Sequence, residues 1–223
     1  NDNVDPTTLQ LLQRLVLSTH GYCWFGVAFL TAVTILAAGQ AIVDSLIFLY
    51  FEYLGSSFLV MGWTVVLTVV FEIPVFQVSD QLLQRFGNTK LLLMAMGCYV
   101  VRVLGYTLIP QGQVMYALLI EPMHGVTYAC SQTAVVDYVA DCMPKGYEAT
   151  GQGIVYFLRG SGSIVGLWLG GWAEDELGPR ILYRTAAVAV GAGGAILLAV
   201  TFFGERSLPK SQCVDIELTE HTL

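Results

Sequence analysis

Glu121 and His124 stand three residues apart in the stretch Leu118 to Met143, LLIEPMHGVTYACSQTAVVDYVADCM. At that spacing two side chains share one face of an α-helix, and Tyr128, four residues further on, extends the face. A carboxylate beside an imidazole holds, passes or shares a proton near neutral pH. The surrounding run is apolar and long enough to span a bilayer. An ionisable side chain in hydrocarbon costs about 2.5–3.5 kcal/mol on insertion scales, so such groups face a partner or a water-filled cavity. The same pair also reads as polar glue between helices. Proton handling is favoured because intramembrane charges mark function by default.

Three other apolar runs carry charge: Asp44, then Glu72, then Arg102 in CYVVRVLGYT. Arginine does not deprotonate in a protein, so Arg102 requires an acid or water nearby. Acid, acid, base, then acid with histidine on successive helices implies mutual neutralisation around a shared interior. The expected arrangement is a water-accessible cavity in which Arg102 pairs with a carboxylate that gains or loses a proton. Substrate hydroxyls or carboxylates would compete for the same groups and so couple proton and substrate binding. Asp44 reads equally as a position near the interface reaching headgroups. Arg159, in the first half of a later run, fits a cavity cation and a snorkelling residue alike.

These residues need helices to position them, and the composition supplies little else. Hydrophobic residues make up 55% of the 223 and charged residues 12%, against roughly 25% charged in a soluble domain. The chain therefore reads as an all-α integral membrane protein. Six spans are predicted, at about 22–50, 58–78, 91–109, 114–139, 150–172 and 182–203, within a bundle covering 21–204. Residues 1–20 read as a cytoplasmic linker with a short amphipathic helix, its apolar stripe being Leu9, Leu12 and Val16. Residues 205–223 read as a polar, disordered tail. The polar segment Ser79–Lys90 and the acidic Glu174–Glu176 are predicted as a loop and a turn. Gly162, Gly166 and Gly170 form two overlapping G-x-x-x-G patterns, which let helices approach closely.

Several classes are disfavoured. The net charge of −7 comes largely from the tails and the acidic turn, and no basic stripe invites nucleic acid. The five cysteines have no metal-ligand spacing, so no metal or cofactor is expected. Gly160-Ser-Gly-Ser163 lacks the spacing of a nucleophile elbow, and no enzyme is expected. With six spans, Arg14, Arg85, Lys90, Lys145, Arg206 and Lys210 fall on one side and Arg180 and Arg184 on the other. The positive-inside rule then puts both termini in the cytoplasm.

The pattern resembles the carboxy-terminal six-helix half of a major facilitator superfamily transporter. In Ser79–Lys90, Asp80, Arg85, Gly87 and Lys90 stand where the superfamily's cytoplasmic motif has them; the resemblance implies a conformational latch there. V-R-V-L-G around Arg102 resembles the lactose-permease segment with an essential arginine. That permease's next helix has its histidine and glutamate three apart in the opposite order, so their roles do not transfer one to one. E-P-M-H-G-V-T-Y-A, A-T-G-Q-G and G-L-W-L-G-G-W are most similar to the lactose-permease-like branch of animals, which includes the major facilitator superfamily domain-containing protein 6 group. The resemblance covers about residues 22–204.

It implies a fragment of a secondary active transporter, proton-coupled and working by alternating access on a small polar solute. Its candidate coupling residues are Asp44, Glu72, Arg102, Glu121, His124 and Tyr128. The partners implied are the lipid bilayer, the solute, protons, and an N-terminal six-helix half or a second copy to complete the cavity. The competing reading is a membrane receptor or interaction protein that keeps the fold without transport.

Overall fold

The computed structural model describes residues 7–17 and 23–207. The extreme N-terminus, the expected start of the first span at Tyr22, and the tail from 208 onward lie outside the described residues. Helices α1 (Thr8–Leu17), α2 (Cys23–Tyr53) and α3 (Phe58–Thr107) are followed by a 3-10 turn, Val114–Tyr116. Then come α4 (Ala117–Ile120), α5 (Pro122–Cys142), α6 (Glu148–Leu177) and α7 (Pro179–Ser207). No strand occurs among the described residues. Three helical stretches, Trp24–Tyr53, Phe58–Thr107 and Pro179–Gly204, are long and apolar enough to cross a membrane.

The 50 residues of α3 form a hairpin of two arms, 58–86 and 88–107, broken at Gly87. Thr68 and Tyr106 both donate to the Glu121 carboxylate. In one straight helix they would lie about 57 Å apart, so the chain must reverse between them. Gly87, with φ 76° and ψ 166°, occupies backbone space essentially reserved for glycine. The expected loop at Ser79–Lys90 is thus helix on both sides of one residue, because its Gln, Leu, Arg and Lys favour helix and only Gly87 breaks it. Four other glycines, Gly55, Gly112, Gly146 and Gly178, also have positive φ among the described residues. Each separates consecutive helical runs.

Three further expectations change. The predicted fourth span is interrupted at Glu121, because Pro122 has no N–H to donate to the preceding turn. The ladder passes instead through Glu121 N–H to Ala117 O and His124 N–H to Glu121 O. Glu174–Glu176 are the last turn of α6, which runs on until Gly178 at φ 84°. In α1 the buried residues are Leu11 and Leu15, while Leu9 is exposed. That stripe packs on protein: Tyr138 of α5 donates to the Leu15 carbonyl.

Lipid removes the hydrophobic drive between helices, leaving close packing to hold them. Gly162, Gly166 and Gly170 of α6 lie against Thr34, Ala38 and Ile42 of α2, the same four-residue step on both sides. A Cβ on Gly166 would fall 2.7 Å from the Ala38 carbonyl oxygen. On α5, a Cβ on Gly125 would fall 2.7 Å from the backbone nitrogen of Glu72. These contacts fix which face each helix turns inward.

Substituting Gly166 by alanine is expected to lower the thermal unfolding midpoint of the purified protein, since backbone must move. Gly171→Ala, where a Cβ meets nothing within 4 Å, should be neutral or stabilise by up to about 1 kcal/mol through helix propensity. Equal behaviour of the two variants would refute the packing assignment.

Candidate functional site

A cleft of about 200 Å³ lies between α2, both arms of α3 and the α4–α5 junction. Asp44, Arg102, Glu121 and His124 line it, together with Thr64, Thr68 and Tyr106. Of the charged groups Arg102 is the most deeply placed, 1% exposed, and Glu121 is 5% exposed. Asp44 has a side chain 54% exposed, so the cleft opens beside it.

The internal partners differ from the expected arginine–carboxylate pair. Arg102 Nη1 donates to Nδ1 of His124, and its guanidinium lies 5.8 Å from the Tyr106 ring centroid. Glu121 instead accepts from the Tyr106 hydroxyl at 2.9 Å and the Thr68 hydroxyl at 3.1 Å. The reason is local. Arg102 and Tyr106 sit one turn apart on one face, and Glu121, with helical φ −54° and ψ −35°, reaches the phenol. Arg102 Nε and Nη2 are buried without a hydrogen-bond partner.

The arrangement sets the tautomer of His124. Nδ1 accepts only while it is unprotonated, so the neutral ring carries its hydrogen on Nε2. Asp44 Oδ1 lies 4.0 Å from the same Nδ1. Protonation there would cancel the bond from Arg102 and create an ion pair with Asp44. One nitrogen thus serves two exclusive states.

Glu72 and Tyr128 lie outside the lining. Glu72 is half-buried, its backbone pressed against Gly125. Tyr128 stacks on His124, with ring centroids 6.2 Å apart, and meets Phe76 edge-on. Asp80, Arg85, Gly87 and Lys90 are exposed around the α3 reversal, remote in sequence from the cleft residues. The sequence reading passed over Thr64, Thr68 and Tyr106. Their signal was spacing: Thr64 and Thr68 are one turn apart and lead to Glu72, and Tyr106 is one turn after Arg102.

The MFS_1 like family model matches residues 25–185, a stretch that contains every charged residue of the cleft. The chain belongs to the MFS_1 like family. Membership of the MFS_1 like family, with its apolar helices, points to a membrane protein of transporter type. A curated relative, Major facilitator superfamily domain-containing protein 6-like of Mus musculus, is 25% identical over 204 residues. That alignment covers 91% of this chain and 32% of the relative, so the chain spans about a third of that protein's length. No solved structure matches this MFS_1 like chain.

The two hydroxyl donors to Glu121 are separately testable. Tyr106→Phe should destabilise the detergent-solubilised protein by about 0.6–2 kcal/mol, the range for hydrogen bonds between membrane helices. Combined with Glu121→Gln in a double-mutant cycle, it should give a non-zero coupling energy. Strict additivity would remove the Tyr106–Glu121 bond from the account.

Proposed function

We propose that the chain forms one six-helix half of a proton-coupled secondary transporter for a small polar solute, its cleft being one wall of the transport cavity. The observation that carries this reading is the convergence of Asp44, Arg102, Glu121 and His124 on one cleft. They come from α2, the return arm of α3 and the α4–α5 junction, and no local sequence constraint requires these three segments to meet. In the absence of a shared task, four ionisable groups in apolar helices are an expensive arrangement.

Proton and solute meet at Arg102. With His124 neutral, the guanidinium is held by its ring, and its buried Nε and Nη2 lack an acceptor. A neutral solute oxygen admitted by an opening of the cleft would take those donors. A proton arriving at His124 would transfer the imidazole to Asp44 and free Nη1 as well. Protonation of Glu121 would leave one carboxyl oxygen carrying hydrogen and disturb the paired acceptance from Tyr106 and Thr68. Each event changes the donor set offered to the solute, which is the differential interaction that coupling needs. Arg102 and Glu121 are seated in the bundle, and Asp44 is its exposed rim. The opposite wall would come from a second six-helix half, with solute held between halves near the bilayer midplane. The match to about a third of a longer relative agrees with a chain that supplies one wall. Both termini would lie in the cytoplasm, and the exposed Asp80–Lys90 reversal would act as the latch between halves.

In a complete transporter containing this chain, Glu121→Gln and His124→Ala are each expected to abolish the pH dependence of solute uptake into cells or proteoliposomes. Arg102→Gln should abolish uptake itself. An unchanged pH profile in both Glu121→Gln and His124→Ala would overturn proton coupling through this cleft. Absence of uptake of any tested solute by the unaltered protein, with intact surface expression, would favour the receptor reading.

A further inference from the structure

Arg159 of α6 is a second cation within the helices, and its surroundings differ from those of Arg102. Its Nη1 donates to Gln132 Oε1 at 2.6 Å. Gln132 Nε2 in turn donates to the Tyr156 hydroxyl at 2.6 Å. The Arg159 guanidinium lies 5.8 Å from the Tyr156 ring centroid. Gln132 is the middle residue of α5, Pro122–Cys142. The guanidinium is therefore held sideways at mid-helix depth and does not reach along its own helix toward a membrane surface, which disfavours snorkelling.

Among the described residues, no carboxylate lies within 4.0 Å of it; the one ion-pair contact there joins His124 and Asp44. The ionisable side chains within electrostatic reach of Arg159 are the phenols of Tyr156 and Tyr128, which are neutral at ordinary pH. Arg102, by contrast, has both Glu121 and Asp44 within its electrostatic reach. A permanent cation at that depth is costly until an anion neutralises it.

Position points to the source of that anion. His124, Tyr128 and Gln132 are spaced four apart and form one stripe along α5. Gln132 is about 12 Å along the helix from His124, and the Tyr128 ring, stacked on His124, lies between. The unneutralised cation is thus hydrogen-bonded to the α5 face that carries His124, a group that would handle the proton.

We propose that Arg159, braced by Gln132 and Tyr156, binds the carboxylate of the transported solute, which makes that solute a small monocarboxylic acid. The inference rests on the transport reading above and names its substrate class. One guanidinium offers a planar pair of donors matched to a carboxylate. Arg102 is offset by Glu121 and Asp44, so Arg159 is left to balance one negative charge, whereas a phosphate dianion would need a second unneutralised cation. Carrying one anion with one proton would move no net charge.

The test uses the full-length transporter, purified in zwitterionic detergent, and short acids against their uncharged amides. Butyrate should raise the thermal unfolding midpoint in a saturable way and butyramide should not, because only a species that binds the folded state stabilises it. That comparison requires no variant. Arg159→Gln should weaken butyrate binding by on the order of ten- to a hundredfold, while Arg159→Lys retains part of it. Phosphatidylglycerol added to the micelles separates a soluble acid from a lipid headgroup. Stabilisation by that lipid without any by butyrate overturns the proposal, as does equal stabilisation by butyrate and butyramide, or unaltered butyrate binding in Arg159→Gln. If Glu121→Gln loses pH-dependent uptake but the unaltered protein ignores butyrate, the substrate class is wrong and proton coupling stands. If butyrate binds and uptake is indifferent to Glu121 and His124, the reverse holds.

Discussion

A guanidinium that is 1% exposed inside apolar helices constrains everything near it. Arginine keeps its charge under all ordinary conditions, so the fold must bring electron density to it from several directions. His124 supplies a lone pair, Tyr106 a ring face, and Asp44 and Glu121 negative charge. Those four come from three separate helical segments. The relative placement of α2, α3 and α5 is therefore tied to a single cation, and a shift of any one segment leaves it less well compensated.

Small residues make that placement possible. Gly125 lets α5 meet the outgoing arm of α3 backbone to backbone, which sets Glu121 within reach of Thr68. Gly162, Gly166 and Gly170 do the same between α6 and α2. On the outgoing arm of α3, Val65, Val66, Val69, Val70, Phe71 and Ile73 remain exposed. That surface is stable in lipid or against another apolar surface. Val65 also borders the cleft, beside the polar Thr64 and Thr68 of the same arm.

Charge inside an apolar run is a conspicuous signal, and for that reason Asp44, Arg102, Glu121 and His124 were legible from the chain alone. Helix content and membrane character were legible from composition. Thr64, Thr68 and Tyr106 were not, because neutral polar side chains are common in spans and their importance depends on what faces them. Glu72 and Tyr128 were grouped with the cleft because they share helix faces with its residues. Their actual positions depend on helix rotation, which the Gly125 contact sets and no property of either helix alone encodes. The Arg102 partner differs for a similar reason: a strong charge suggests a carboxylate, and the packing of the return arm of α3 gives Glu121 the Tyr106 phenol instead. The reversal at Gly87 was visible as polar punctuation, but its tightness follows from a single dihedral pair.

The crossing at Gly125 has a mechanical meaning. Where two backbones touch with no side chain between them, the contact is a natural pivot for tilting one helix against the other. Thr68 lies about 6 Å to one side of Glu72 along the arm and Asp80 about 12 Å to the other. A small rocking motion would therefore shift the exposed acidic end of the arm roughly twice as far as it shifts the hydroxyl on Glu121. Read in reverse, a displacement at the surface arrives at the cleft halved, geared down toward the scale of one hydrogen bond.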